Sequence, residues 1–396
     1  MKPIAVLDIG SSKIVCLCGS TSGRDGTVVH GAGIVEYSGY ANCTFYNPSD
    51  LEASVISSIR QTEENARIRI RDIVLSVPAP FSKLVVTESS IRMESTKERV
   101  SASDIDELIS LALSKANSPG YILMHSTPLS FCVDGYETPD VPQGKRAGEV
   151  KAKVSHMYVE EGFLKTITEI LDKLSIEISM CVSSQLAESL LLIQDEERIR
   201  PAALIDVGFT HTDISVVENS ALKMMKTIDL GGFHFTNDLA YGLDIPFSVA
   251  EQVKRKYSFL EEGSNNEVTI RMLTGVKTVS QKAVDLIMEA RADEFVELIG
   301  STLLEFHIRP DTKPAVYLTG GGISMMRGGS EYLRQMLGLN IRRDMPYIPD
   351  MDTPNYASAF GTLDFVLKTT SQSNDDLHST EDDRNVFDKI KDLFVS

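Results

Sequence analysis

Residues 1–20 read MKPIAVLDIGSSKIVCLCGS, and the stretch that decides the fold is the VLDIGSSKIV within it. Ala5, Val6, Leu7 and Ile9 form one aliphatic run and Ile14 to Leu17 another. The short polar loop between them predicts a β-hairpin, with Asp8 at the end of its first strand. Gly and Ser are ordinary turn residues and Asp often ends strands, so turn chemistry alone accounts for a single copy. The chain repeats the pattern at residues 203–220, ALIDVGFTHTDISVVENS. There Ala203 to Ile205 lead into Asp206, Val207 and Gly208, followed by a polar loop and by Ile214 to Val217. Two copies of aliphatic run, Asp, aliphatic, Gly, polar loop and aliphatic run predict an internal duplication.

Composition narrows the function classes. The chain has 396 residues, of which 42% are hydrophobic, enough for two or more domains with their own cores. Its formal charge of −17 argues against nonspecific nucleic-acid binding, which needs a basic face to displace counterions. Five cysteines without metal-ligand spacing point to a reducing compartment, with Cys16 and Cys18 as core thiols and neither disulfide nor zinc expected. No basic region precedes an apolar signal core, and no stretch reaches the ~18 apolar residues of a membrane span, so a cytoplasmic protein is expected.

Periodicity then orders the chain. TVVHGAGIVEYSGY continues the first sheet, SDLEASVISSIRQTEENA reads as a helix with an Asp cap, and DIVLSVPAP is a further strand. Strand, helix, strand is the signature of an α/β layer. From Phe81 to about Met157 the texture changes to strands around a helix at SASDIDELISLALSKA, a small α+β insertion. The first half closes with EEGFLKTITEILDKL, IEISMCVSS and QLAESLLLIQDEE. In the second half FHFTNDLAYGL, PFSVAEQVKRKYS and SQKAVDLIMEARADEFVELIGSTLLEFHI read as helices. PAVYLTGGGISMMRGGSEYLRQML reads as strand, three glycines and helix. DTPNYASAFGTLDFVLKT reads as a closing helix, TSQSNDDLHSTEDD as a linker too polar to fold, and NVFDKIKDLFV as a short apolar tail.

The glycine loops suit an anion, because small side chains let backbone N–H groups approach a phosphate. Gly10, Ser11, Ser12 and Lys13 offer such a cradle from one half, and Gly208, Phe209, Thr210, His211 and Thr212 from the other. A polyphosphate between them would leave Asp8 and Asp206 facing each other, placed to hold Mg²⁺ through its waters or to orient an attacking water. Gly320 to Gly322 in LTGGGIS, after the strand Val316 to Leu318, would admit a nucleoside. The order of two phosphate loops and a nucleoside loop fits a duplicated ATP-binding fold. Neither a Walker P-loop nor a Rossmann fingerprint is present.

These residues resemble the actin, Hsp70 and sugar-kinase superfamily, and more closely the bacterial cell-division family FtsA. DIGSSKI, IDVGFTHTDISV, IDLGGFHFTNDLA, AEQVKRKYS, YLTGGGISMM and NYASAFGTLDF look like its phosphate, adenosine and second connecting motifs. SVPAPF, VDGYE and GEVKAKVSHMYV are similar to the extra subdomain of FtsA. The resemblance implies a duplicated actin-like (ribonuclease H-like) α/β ATPase fold with an inserted SHS2-like α+β subdomain and a C-terminal amphipathic tail. Residues 1–80 and 158–200 would form subdomain 1A, closed by the helix 351–368, and 81–157 the inserted subdomain 1C. Residues 201–235 and 310–350 would form 2A, 236–309 form 2B, 369–383 a disordered linker and 384–396 a membrane-targeting helix.

The same resemblance implies ATP and Mg²⁺ as cofactors. Glu251 and Lys254 would line the adenine and ribose site, Gly231 and Gly232 would lie near the phosphates, and Ile323 would sit beside Gly320, Gly321 and Gly322. Read without the family, SVAEQVKRKYS is simply an exposed charged helix. Where relatives usually carry Gly-Gly after the second loop glycine, this chain has Phe209 and Thr210. With only Ser184, Gln185 or Glu188 available where polymerising relatives keep a hydrolytic Glu or Gln, slow or negligible hydrolysis is expected. His211 is either a phosphate donor or a solvated loop residue.

In the tail, Val386, Phe387, Ile390, Leu393 and Phe394 fall on one helical face, suited to a membrane interface or to docking on the protein's own domain. The resemblance favours the membrane, with self-association into actin-like filaments supplying avidity to weak single anchors. It further implies that subdomain 2B takes the C-terminal tail of FtsZ, with Lys282 and Arg291 as partners for acidic groups. The insertion would recruit late division proteins at the cytoplasmic face of the inner membrane at the septum. The alternatives are an actin-like pilus-assembly adaptor and a soluble sugar-kinase-type phosphotransferase.

Overall fold

The computed structural model describes residues 3–22, 26–93, 99–260, 267–272, 275–346 and 351–375. The opening hairpin is β1 (Ile4–Ile9) and β2 (Lys13–Ser22), antiparallel with Asp8 opposite Val15. It continues into β3 (Gly26–Glu36), a short hairpin of β4 (Tyr40–Ala41) and β5 (Thr44–Phe45), then α1 (Pro48–Ala66) and β6 (Asp72–Val77). Next come the insertion's β7 (Ser82–Arg92), α2 (Ala102–Ser114), β8 (Tyr121–Val133), β9 (Tyr136–Thr138) and β10 (Glu149–Glu160). The first half ends with α3 (Glu161–Asp172), β11 (Glu177–Ser183), α4 (Ser184–Leu192) and the single turn α5 (Asp195–Arg198).

The second half repeats the plan with β12 (Ala202–Val207), β13 (Thr212–Glu218) and β14 (Ala221–Ile228). Between these and the rest of the second sheet come α6 (Gly232–Gly242), α7 (Phe247–Lys256), the hairpin β15 (Glu267–Met272) and β16 (Gly275–Ser280), and α8 (Gln281–Glu305). Then follow β17 (Val316–Thr319), α9 (Gly329–Leu337), β18 (Ile341–Arg343) and α10 (Ala357–Asp375). The first sheet has the order β3-β2-β1-β6-β11 and the second β14-β13-β12-β17-β18. In each, three antiparallel strands adjoin two parallel ones, and Asp206 faces Asp213 where Asp8 faces Val15. The duplication read from the two hairpins is therefore a duplication of whole sheets.

Each sheet is apolar on both faces and covered on both, as parallel strands require. In the first, Leu7, Ile9 and Leu75 pack against Leu51, Val55 and Ile59 of α1 and Phe163 and Ile167 of α3. On the opposite face Val6, Val15, Leu17 and Val182 meet Ala187 of α4 and Leu363 and Val366 of α10. Each such fully buried aliphatic side chain contributes roughly 1.5–3 kcal/mol. Helix α1 starts earlier than the sequence suggests. Its cap is Asn47, whose side chain accepts from the N–H groups of Ser49 and Asp50, and Pro48 sits in the first turn. The Asp50 carboxylate accepts instead from Ser38 N at 2.7 Å.

The insertion is a four-stranded sheet, β7-β10-β8-β9, with Ile105, Leu108 and Ala112 of α2 packed on Phe131, Val150 and Val154. It is rooted in the first half, because Met124, Met157 and Val159 at the strand ends share a core with Phe81 and Leu75. It also touches the second half. The turn after β13 places Asn219 Nδ2 2.8 Å from the carbonyl of Leu129, and Leu222 of β14 is buried in the first half's core.

The closing helix corrects one boundary. Residues from 369 onward were expected to form a linker, but α10 runs to Asp375. Thr369 is buried, and the hydroxyls of Thr369 and Thr370 donate to the carbonyls of Phe365 and Val366 one turn back. Those threonines satisfy themselves inside the helix, which a composition argument cannot see. Residues 376–396, with Val386, Phe387, Ile390, Leu393 and Phe394, lie outside the described residues. Among the described residues no helix is long and apolar enough to cross a membrane.

Candidate functional site

The two hairpin loops close in the same way. Gly10 N donates to Lys13 O at 3.0 Å, and Gly208 N donates to His211 O at 2.9 Å. They lie side by side, with Thr210 N donating to Ser11 Oγ at 3.3 Å. The second loop is held from behind by its own carbonyls. Val207 O accepts from Gly322 N, Gly208 O from Gly232 N and Phe209 O from Phe233 N, at 2.7, 2.9 and 2.7 Å. The Thr212 hydroxyl donates to Leu230 O. The Phe209 ring leans edge-on against Phe233, its centroid 5.6 Å away.

These bonds bring the third glycine loop against the second. Gly320 has φ +89, and a Cβ there would lie 2.2 Å from Asp206 Oδ1 and 2.4 Å from Val207 O. Glycine is therefore dictated by both backbone angle and space. Gly321 abuts Asn355, Gly322 abuts Gly232, and Ile323 is fully buried beneath them. Lys254 arrives from α7, its Nζ 3.1 Å from Gly232 O and 2.6 Å from Glu251. Glu251 also accepts from Thr236 Oγ1 at 2.6 Å and from Arg255 at 2.9 Å. AEQVKRK is thus not wholly an exposed charged helix: Gln252, Arg255 and Lys256 face outward, but Lys254 is buried, held by Glu251 against the carbonyl of Gly232. Burial works to raise the Glu251 carboxyl, but Lys254 and Thr236 outweigh it and hold the group below the usual range.

Electrostatically the site concentrates negative charge out of water. Asp8, Glu188, Asp206 and Asp213 act on one another, and burial raises Asp8, raises Glu188 strongly and pushes Asp206 up to about 7. Asp213 adds to the rise at Asp206, while Gln185 opposes it by hydrogen bonding to Asp206. The Ser358 hydroxyl donates to Asp8. Lys13 is the cation in reach. Burial lowers it to about 8, its Nζ has no hydrogen-bond partner among the described residues, and it lies 3.8 Å from the centre of the Tyr356 ring. His211 is not a solvated loop residue. It is buried, with Nε2 3.3 Å from Asp213 and Nδ1 3.1 Å from Thr210 Oγ1. Burial alone would lower it, but Asp213, with Asp206 and Asp229, raises it.

The sequence-derived residues therefore converge: contacts link Asp8, Gly10 to Lys13, Asp206, Gly208 to Thr212, Gly231, Gly232, Glu251, Lys254 and Gly320 to Ile323 where the two halves meet. Ser184, Gln185 and Glu188 lie at the start of α4, all buried, with Glu188 in the field of Asp206, Asp8 and Asp213. No three His, Cys, Asp or Glu side chains among the described residues close on a point as direct metal ligands. Arg291 is not free for acidic partners, as expected of it. Asp238 takes Nε at 2.5 Å and Nη2 at 3.0 Å, and Glu294 takes Nη1. Lys282 is exposed. The sequence reading missed Ser358 and Tyr356, whose only signal was the small-residue helix NYASAFG, and Tyr40, which had none.

A fold of this kind, built on duplicated sheets, recurs in known structures. The PilM–PilN type IV pilus biogenesis complex superposes with a TM-score of 0.63 at 16% identity, covering 91% of this chain and 97% of that one. MreB5 of Spiroplasma citri bound to ADP does so with a TM-score of 0.56 at 12% identity, covering 95% and 99%. The fold is the actin-like one. The family model of the cell division protein FtsA matches residues 203–361. The cell division protein FtsA of Pseudomonas aeruginosa is 23% identical over 380 residues, covering 93% of this chain and 90% of the relative. That of Agrobacterium fabrum is 26% identical over 361 residues, covering 87% and 81%.

Proposed function

We infer from a chain that is FtsA-like along nearly its whole length that it is an ATP-binding, actin-like cell-division protein. In this reading it assembles into filaments on the cytoplasmic face of the membrane and anchors the FtsZ ring there. The observation that carries the nucleotide part is the meeting of three glycine loops beside Lys13, whose buried ammonium has no hydrogen-bond partner among the described residues. A buried cation without a partner is costly, and polyphosphate oxygens are its natural complement. Backbone N–H groups of Ser11 to Lys13 and Phe209 to Thr212 would take the phosphates. Gly320 to Gly322, Glu251 and Lys254 would take the nucleoside. Asp8 and Asp206 would hold Mg²⁺ through its waters, and the metal's chemistry is to offset charge that burial alone makes unfavourable.

Turnover would be slow. A general base must be ionised, and burial, with Asp206 and Asp8 nearby, disfavours the ionised form of Glu188. The filament reading leans on relatives and neighbours that include the MamK double helical filament, with a TM-score of 0.51 at 15% identity. The FtsZ tail would contact the α6–α8 region, with Lys282 rather than Arg291 as the accessible cation, and the insertion would recruit later division proteins.

Co-sedimentation with anionic liposomes tests the scaffold, comparing the full chain with one ending at Asp375, each with ATP·Mg²⁺ and without nucleotide. The full chain alone should pellet, and more of it with ATP. Both versions staying soluble in every condition would instead favour the adaptor or phosphotransferase, neither of which needs the apolar tail.

A further inference from the structure

The segment between β3 and β5 lies along the first glycine loop. Tyr37 N donates to Ser12 O at 3.1 Å and the Tyr37 hydroxyl donates to Gly10 O at 2.8 Å. Gly39, at φ +78, passes so near that a Cβ would sit 2.0 Å from Ser11 O. These contacts deliver Tyr40 to the place where the two loops touch. The Tyr40 carbonyl accepts from Thr210 Oγ1 at 3.1 Å, one residue pair away from the Thr210–Ser11 bond. Its ring is 1% exposed and is fixed on three sides. Phe45 and Phe81 meet it edge-on with centroids 5.6 and 5.0 Å away, and His211 stacks on it at 5.6 Å.

The ring is well packed and its hydroxyl is not satisfied. Tyr40 Oη is buried without a hydrogen-bond partner among the described residues, although buried phenols normally find one. It sits in the field of Asp8, Asp206 and Asp213, which together with burial keep it a protonated donor. Tyr40 is among the residues that line a cavity of about 700 Å³, with Cys43, Lys83, His211 and Asp229. A fixed phenol with an unpaired O–H, beside the loop contact, is a built half of a hydrogen bond.

Resting on the nucleotide reading above, we propose that Tyr40 is a binding residue for the terminal phosphate of a nucleoside triphosphate, to which its hydroxyl donates. The position assigns it the terminal rather than the inner phosphates. It stands with Ser11, Thr210 and His211, whereas Gly322 and Lys254 belong to the nucleoside end. Tyr40 therefore makes the site discriminate triphosphate from diphosphate, and His211 serves as the stacking partner that keeps the ring in place.

The test is calorimetric titration of the full chain and of Tyr40→Phe with Mg·ATP and with Mg·ADP, beside the melting temperature of each without ligand. Because a hydrogen bond to a charged group is lost, Tyr40→Phe should weaken ATP roughly tenfold and leave ADP within about twofold. The ligand-free melting temperature should hold or rise, since the deleted hydroxyl has no partner. An unchanged ratio of ATP to ADP affinity, or equal weakening of both, overturns the assignment while leaving nucleotide binding intact. Failure of the unaltered chain to bind either nucleotide overturns the nucleotide reading and this one with it.

Discussion

Gly320 concentrates the site's constraints in one residue. Its positive φ and the carboxylate oxygen 2.2 Å from any added Cβ leave no room for alanine. Gly320→Ala should displace Asp206 or the strand end behind it, costing about 2–4 kcal/mol in stability and abolishing nucleotide binding, as thermal melts and titration would read. A second residue-scale prediction lies far from the cleft. His156 is buried between Ser126 and Thr87, His125 Nε2 has no partner among the described residues, and burial lowers both to about 4. Their unfolded values are near 6.5, so below that pH the unfolded chain gains protons that the folded chain refuses. Stability should therefore fall as pH drops from about 6.5 to 4, measured by urea unfolding, and the fall should shrink when both are replaced by glutamine. What was legible at this scale was whatever the backbone demands locally. Glycines and an aspartate in a hairpin loop announce themselves, whereas Ser358 reaches Asp8 from 350 residues away and Tyr40 is an ordinary aromatic until the loops meet.

The elements were legible where periodicity was strong, and their ends were not. Helix α1 begins at an Asn47 cap rather than at Asp50, because a proline can follow the cap and the aspartate is taken by Ser38. Helix α10 outruns its expected end because buried Thr369 and the back-bonded Thr370 carry it past an apparently disordered composition. A chain ending at Lys368 should accordingly melt several degrees below one ending at Asp375. Equal melting temperatures would mean that the last turns add nothing to the fold. The charged α7 shows the reverse error: its composition reads as solvated, yet Lys254 is drawn inward by Glu251 and the carbonyl of Gly232.

At the scale of the molecule the duplication was visible in two short hairpins, but the coupling between the copies was not. Leu222 of the second half is buried in the first half's core, and Tyr317 of β17 shares a cluster with Leu192, Ile193 and Ala357. Asn219 reaches across to the inserted sheet. Apolar contacts spread in this way predict one cooperative calorimetric transition, and two resolved transitions would show that the halves fold independently. Bound nucleotide should raise that single transition, because both halves contribute to the cleft.

The return of α10 to the first half has a consequence for how the protein is made. Val6, Val15, Leu17 and Val182 belong to strands translated early, while Leu363, Val366 and Leu367, which cover that face, are among the last described residues to be synthesised. During translation the first sheet must wait with one greasy face uncovered until the rest of the chain has left the ribosome. The order of synthesis thus makes the oldest part of the fold the last to be finished, and makes a nascent chain stalled before residue 363 the species most prone to aggregate or to need a chaperone.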